Sequence, residues 1–205
     1  MFTGIVTALG TVESVEQRGD LRVTIGCPWN PDTIAIGASI ACAGVCLTVV
    51  GKSGAPGDAR FAVDVSAETL ARTASGTWEQ GGRINLEGSL KLGDEMGGHI
   101  VSGHVDAVGT VVASVAEGDS TRLTIAAPRA LAPFIATKGS IAVDGVSLTV
   151  NTVQDQPDGA VHFGLNVIPH TAQVTTLGAL HEGDEVNLEI DTVARYLQRL
   201  ESLRA

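Results

Sequence analysis

Positive charge is scarce in this 205-residue chain, where 13 Lys and Arg stand against 23 Asp and Glu for a formal net charge of −10. That balance argues against a nucleic-acid partner, since such proteins neutralise phosphates with clustered basic residues and these are scattered. A heavily phosphorylated substrate is disfavoured on the same ground. Long apolar runs are missing too: no stretch of about 18 apolar residues occurs, so no membrane span is expected. The start MFTGIVTALGTVESVEQRGD has neither a basic beginning nor an unbroken apolar core, so no secretory signal is expected and the cytoplasm is the expected location. Cys27, Cys42 and Cys46 form an odd set without a CxxC pair, which argues against a disulfide framework or a zinc site. There is no GxxxxGK[ST], and no GxGxxG leads from a strand into a helix with an acidic residue beyond it, which excludes a Rossmann nucleotide enzyme. What is present is a globular balance, 44% hydrophobic and 18% charged, enough to build a core.

The chain is written twice. VTALGTV (6–12) matches VDAVGTV (105–111) at an offset of 99, and Leu47-Thr48 matches Leu148-Thr149 at an offset of 101. FAVDVSAETLARTASG (61–76) matches FGLNVIPHTAQVTTLG (163–178), and GGRINLE (81–87) matches GDEVNLE (183–189), both at 102. A period this long makes each copy a domain with its own core and not one unit of a solenoid. Within each copy, short runs rich in Val, Ile and Thr alternate with Gly, Pro and Asp turns. The first half predicts strands near IVTALGTVESV, LRVTIG, SIAC, CLTVVG, RFAVDV and RINLE; the second near HVDAVGTVVASV, RLTIAAP, SIAVD, SLTVNT, VHFGLNV and EVNLEI. Six strands per half suggest a small closed barrel, because closure removes exposed edges. Short helical turns are expected after SAETLART and within PRALAPFIATKG. The terminal TVARYLQRLESLRA reads as an amphipathic helix with Val193, Leu197, Leu200 and Leu203 on one stripe and Arg195, Arg199 and Glu201 largely off it. Self-association or packing on its own barrel would each bury that stripe.

Three places carry candidate chemistry. LKLGDEMGGHIVSGHVD (90–106) joins the halves and holds His99 and His104, whose spacing does not suit one helical face, so a metal site is not expected. A flexible junction with solvated imidazoles is the plainer alternative. Cys46 and Ser147 occupy equivalent positions between Gly-Val and Leu-Thr, where a thiol or hydroxyl could serve as hydrogen-bonding group or nucleophile at a barrel mouth. On spacing alone, a small residue chosen to fit a turn is the better explanation of both. Asp191 has Ser89 as its counterpart, and Asp144 has Ala43. Unequal side chains in one shared frame suggest unequal jobs, with drift after duplication as the alternative.

At this point MFTGIV, the paired GVCLTV and DGVSLTV, the ETL of 68–70, the two NLE strands and GGHIVSGHVD together resemble the riboflavin synthases of the duplicated, alpha-subunit type. The ordered set covers nearly the whole chain. The resemblance implies an all-β protein of two similar six-stranded Greek-key barrels, residues 1–90 and 98–190, and a C-terminal oligomerisation helix, 192–205, that assembles a homotrimer. It implies dismutation of two 6,7-dimethyl-8-ribityllumazine molecules to riboflavin and 5-amino-6-ribitylaminouracil, with no metal or separate cofactor. Association with lumazine synthase is a further partnership that it brings.

In that family the active site lies between one subunit's N-terminal barrel and its neighbour's C-terminal barrel. The resemblance places lumazine against Gly4, Ile5, Val6, Ser39, Cys46, Leu47, Thr48, Asp64, Val65, Ser66, Ala67, Glu68 and Thr69 on one side. Opposite stand Lys138, Ser147, Leu148, Thr149, Ile168, Pro169, His170, Thr171 and Ala172, with Gly103, His104 and Val105 at the junction. Ser147 and Asp191 are expected as a hydrogen-bonded pair assisting proton transfer or addition, and Cys46 and His104 are the other catalytic candidates. Two departures stand out: Ala43 where the family usually has Asn, and Gly88 where it usually has Arg. Antenna proteins that hold lumazine or flavin without turnover share this fold but usually lose polar residues in one half. This chain keeps Cys46 and Thr48 in one half and Lys138, Ser147, Thr149 and Asp191 in the other, so catalysis is expected.

Overall fold

The computed structural model describes residues 1–204. Among them, strands β1 (Ala8–Arg18), β2 (Asp20–Cys27), β3 (Ser39–Cys42), β4 (Val45–Ala55), β5 (Asp58–Val65) and β6 (Arg83–Gly88) close into one antiparallel barrel, in the order β1-β2-β5-β4-β3-β6. Strands β7 (Ala107–Glu117), β8 (Ser120–Ala127), β9 (Ser140–Val143), β10 (Val146–Asp155), β11 (Val161–Val167) and β12 (Glu185–Ile190) close a second with the equivalent order β7-β8-β11-β10-β9-β12. Helices α1 (Ala67–Arg72) and α2 (Pro169–Val174) follow β5 and β11, and α3 (Thr192–Ser202) follows the second barrel.

Period-two alternation builds each wall. In β5, Ala59, Phe61, Val63 and Val65 are buried while Asp58 and Asp64 face out; in β11, Val161, Phe163, Leu165 and Val167 are buried while Asn166 faces out. Phe61 and Phe163 occupy matching places in the two cores and have no exposed surface, so truncating either to Ala should cost about 3–5 kcal/mol. The register slips at Val12/Ser14 and Val49/Gly51 and recurs at Val111/Ala113 and Val150/Thr152. Such bulges supply the bend that a small barrel needs. The six-residue helices are too short to persist alone. Ser66 Oγ accepts the Thr69 N–H at 3.2 Å to cap α1, and Pro169 opens α2, where a missing N–H costs nothing. The sequence reading missed α2, because its Ile and Val neighbours read as β-type.

Both first strands begin later than expected, at Ala8 and Ala107 in place of Ile5 and His104. The cause is an exchange. Residues 2–6 and 101–105 leave their own barrels and lie over each other's: Phe2 and Val101 form an antiparallel bridge, with N–H to carbonyl distances of 2.8 and 3.0 Å. Val6 packs on the second barrel's core and Val105 on the first's. Phe2, Ala41, Val101 and Ala142 form a small buried cluster between the barrels. The later part of the junction is therefore pinned and not a free linker.

Asn85 and Asn187 fasten the joint reciprocally. Asn85 donates to the Asp144 carbonyl and accepts from Thr176 N–H at 2.8 Å, while Asn187 donates to the Ala43 carbonyl and accepts from Ala74 N–H at 2.7 Å. The α3 stripe stays uncovered, with Val193, Leu197, Leu200 and Leu203 each more than half exposed. Packing on the chain's own barrel is thus not what this stripe does. Arg195 anchors the helix through two hydrogen bonds to Asp106, at 2.6 and 2.9 Å.

Candidate active site

The exchanged segments place one glycine against each candidate reactive residue. The Gly103 carbonyl accepts the Cys46 N–H at 2.8 Å, and the Gly4 carbonyl accepts the Ser147 N–H at 2.8 Å. Both glycines have positive φ, +81° and +76°, which L side chains rarely adopt. A Cβ on Gly103 would meet Cys46 Cβ at 2.5 Å, and one on Gly4 would meet Ser147 Cβ at 2.6 Å. Only glycine fits either position.

Around Cys46 a cavity of about 260 Å³ is lined by Val45, Cys46, Glu68, Thr69, Arg72, Thr73, Gly103, His104 and Val105. Six of the residues drawn from the resemblance, Cys46, Glu68, Thr69, Gly103, His104 and Val105, therefore meet in one place, contributed by β4, α1 and the exchanged segment. Leu47 and Val65 point into the barrel core, so they face a ligand only through their backbone. Asp64 lies outside that lining and pairs with Arg22, whose guanidinium holds the carboxyl below its ordinary pKa. Ser39 pairs with Thr48 and lines a different cavity, of about 470 Å³, with Trp29 and Gly88.

The Ser147 half differs. Ser147 Oγ lies 2.7 Å from His99 Nδ1. His99 Nε2 is buried and has no partner among the described residues. Burial lowers the His99 pKa, opposed by the nearby charges of Asp191 and Glu189, so the imidazole is neutral near pH 7. Gly98 packs directly on Ser147 and the Thr3 carbonyl, which brings the linker over this mouth. The expected Ser147–Asp191 hydrogen bond is not formed. Asp191 instead caps α3, its Oδ1 accepting the Val193 N–H at 2.8 Å, because the first N–H groups of a helix have no internal partner. The Asp191 charge acts on His99, the imidazole bonded to Ser147.

Ile168 caps α2, which carries Pro169, His170, Thr171 and Ala172, and Ala172 packs on the second core. Lys138 sits in the left-handed region at φ +67° and lines a separate cavity of about 330 Å³ with Glu117 and Arg122. The cavity of about 490 Å³ between the barrels, lined by Ala43, Arg83, Asp144 and Glu185 among others, holds neither Cys46 nor Ser147. There, burial raises the Asp144 carboxyl to about 7, opposed by its bond from the Asn187 N–H.

Sequence reasoning missed His99 as Ser147's partner, and it missed Glu87 and Glu189. Both carboxylates are buried, 6% and 2% exposed, and each accepts hydrogen bonds from an exchanged segment. Their signal was available in NLE, identical in both copies at positions where a barrel wall should be apolar.

Two copies of one small barrel, with a cavity beside the Cys46 thiol in one and the Ser147 hydroxyl at the equivalent place in the other, define a protein of duplicated barrels. The family model of the lumazine binding domain matches residues 3–89 and 102–191. A riboflavin synthase of Brucella abortus is 50% identical over 202 residues, covering 98% of each chain. One from Mycobacterium tuberculosis is 45% identical with 98% of each chain covered, and one from Photobacterium phosphoreum is 40% identical, covering 98% of this chain and 88% of the relative. Among solved structures, LumP complexed with riboflavin superposes with a TM-score of 0.78 at 25% identity, covering 93% of this chain and 99% of that one. LumP complexed with 6,7-dimethyl-8-(1'-D-ribityl) lumazine gives 0.75, also at 25% identity and with the same coverage. The chain belongs to the lumazine-binding family, in its riboflavin synthase branch.

Proposed function

We propose that the chain dismutates two molecules of 6,7-dimethyl-8-ribityllumazine, moving a four-carbon unit from one to the other to give riboflavin and 5-amino-6-ribitylaminouracil. One observation carries the reading: a single backbone frame is used twice with different reactive groups, Cys46 beside His104 in one half and Ser147 bonded to His99 in the other. A carrier needs one good mouth. A dismutase of identical substrates needs two that treat them differently. The 25% identity to LumP against 50% to a riboflavin synthase favours turnover over carriage.

The reaction removes a proton from the C7 methyl of one lumazine and adds a nucleophile at C7 of the other. Neutral His99 accepts the Ser147 proton at Nδ1, leaving Ser147 Oγ able to take the methyl proton. Cys46, His104 and the backbone around them hold the second ring. Stacking the two rings supplies much of the acceleration by orientation. The site is completed between subunits, one chain's Cys46 half facing a neighbour's Ser147 half in a homotrimer, and the exposed α3 stripe is the surface that supports this assembly. The enzyme works in the cytoplasm.

The test is to mix purified protein with 6,7-dimethyl-8-ribityllumazine without cofactor or metal and count products. One riboflavin per two lumazines consumed is the expected result; a fluorescence change with no flavin formed would make the chain a carrier.

A further inference from the structure

Glu87 and Glu189 are buried carboxylates with no cationic side chain bonded to them among the described residues, an arrangement that costs several kcal/mol unless hydrogen bonds replace the lost water. Those bonds are present. Glu87 accepts from Thr3 N–H at 2.7 Å, Thr3 Oγ1 at 2.8 Å and Gly4 N–H at 2.9 Å. Glu189 accepts from Ser102 N–H and Oγ, each at 2.6 Å, from Gly103 N–H at 2.9 Å and from His104 N–H at 3.0 Å. Every donor lies on a segment that has left its own barrel's hydrogen-bond ladder, so these are the N–H groups that would otherwise be orphaned.

Each glycine is thus gripped from two sides. Gly103 gives its N–H to Glu189 of the second barrel and its carbonyl to Cys46 of the first; Gly4 gives its N–H to Glu87 of the first barrel and its carbonyl to Ser147 of the second. We propose that the two carboxylates are crossed positioning residues, Glu189 setting the geometry of the Cys46 half-site and Glu87 that of the Ser147 half-site. Each barrel builds the other's mouth. The crossing is unequal: Glu189 also fixes the His104 peptide, whereas at the matching place Ile5 N–H goes to Thr3 Oγ1 at 3.2 Å. The inference rests on the lumazine reading for its ligand, though its geometry does not.

Cys46 reports on one half alone, since it is partly exposed while Cys27 and Cys42 are buried. The experiment alkylates the full-length protein with iodoacetamide, follows the Cys46 peptide by mass spectrometry, and titrates riboflavin as protectant. Glu189→Gln should speed alkylation without ligand and raise the half-protecting riboflavin concentration roughly tenfold, as expected for a lost positioned hydrogen bond. Glu87→Gln, although it lies in the same barrel as Cys46, should leave both within about twofold while turnover falls. An equal or larger effect of Glu87→Gln on Cys46 overturns the crossing. If either variant fails to fold, Ser102→Ala against Thr3→Ala repeats the comparison by removing one donor from each carboxylate. If riboflavin does not protect Cys46 in the unaltered protein, the placement of the ligand is what fails, and the alkylation rates without ligand still decide the crossing.

Discussion

Replacing Ala43 by asparagine should stabilise the chain. Ala43 opens the turn between β3 and β4 at φ +46°, a left-handed conformation that its twin Asp144 shares at φ +46°. An L residue there is disfavoured by about 1–2 kcal/mol, a cost that Asn and Asp largely escape through local hydrogen bonding. The twin shows what the side chain does: Asp144 Oδ1 accepts the Asn187 N–H at 2.8 Å, and the matching donor in the first barrel is Asn85 N–H. A new bond of that kind is worth about 1 kcal/mol. Ala43 lines the cavity of about 490 Å³ between the barrels, so the larger side chain has room. Together the terms give about 2–3 kcal/mol, or an increase of roughly 4–12 °C in Tm for a chain of this size. Thermal and urea unfolding of Ala43→Asn, Ala43→Gly and Ala43→Asp separate the contributions. Glycine relieves only the backbone, and Asp adds a second carboxylate to the cavity that holds Asp144. A destabilised Asn variant, or one no better than Gly, would refute the hydrogen-bond half of the argument.

Ser147→Ala and His99→Gln should each lower turnover by more than about tenfold with assembly intact, read by product formation and size-exclusion chromatography; unchanged rates in both would remove the pair from the mechanism. Asp191→Asn keeps the helix cap, since Asn caps as well as Asp, but removes a charge that holds the His99 pKa up. The acid limb of its rate profile should therefore move to lower pH, and an unmoved limb would separate Asp191 from His99. Because the folded His99 pKa is depressed, its stabilising effect is present above about 6.5 and lost as pH falls below that value. Asp144 has the opposite sign: with its carboxyl raised to about 7, its contribution is full below about pH 4 and lost as pH rises through 7. Asp144→Asn should flatten that decline in urea titrations between pH 4 and 7, and an unaltered slope would refute the burial argument. Removing residues 193–205 should give monomers with little activity; an active monomer would refute a site shared between subunits.

The barrels were legible because their walls obey strict alternation and because each half repeats the other: Phe61 with Phe163 and Val63 with Leu165 mark the same inward face twice. Glycine spacing brought out Gly103 and His104, and the unequal pair Cys46 and Ser147 stood out against the shared frame. The exchange of residues 2–6 and 101–105 was not legible, since Ile5, Val6 and Val105 alternate like strand residues whichever barrel they cover. Nor was the Ser147–His99 contact, which joins positions 48 apart in sequence and depends on how the linker folds back. Asp191 was singled out for the right neighbourhood and given the wrong partner, because a capping role and an acid role draw on the same side chain.

The exchanged segments also bear on the order in which the chain is made. Phe2 through Gly4 leave the ribosome well before the Ser147 backbone that Gly4 binds, which is synthesised more than a hundred residues later. Likewise the first barrel can close its walls once β6 exists, but its mouth stays unfinished until Gly103 arrives to meet Cys46. Such distant pairings form slowly and late. A nascent first half therefore carries a finished core and a loose leading segment, and ligand binding becomes a signal that synthesis has reached the second copy.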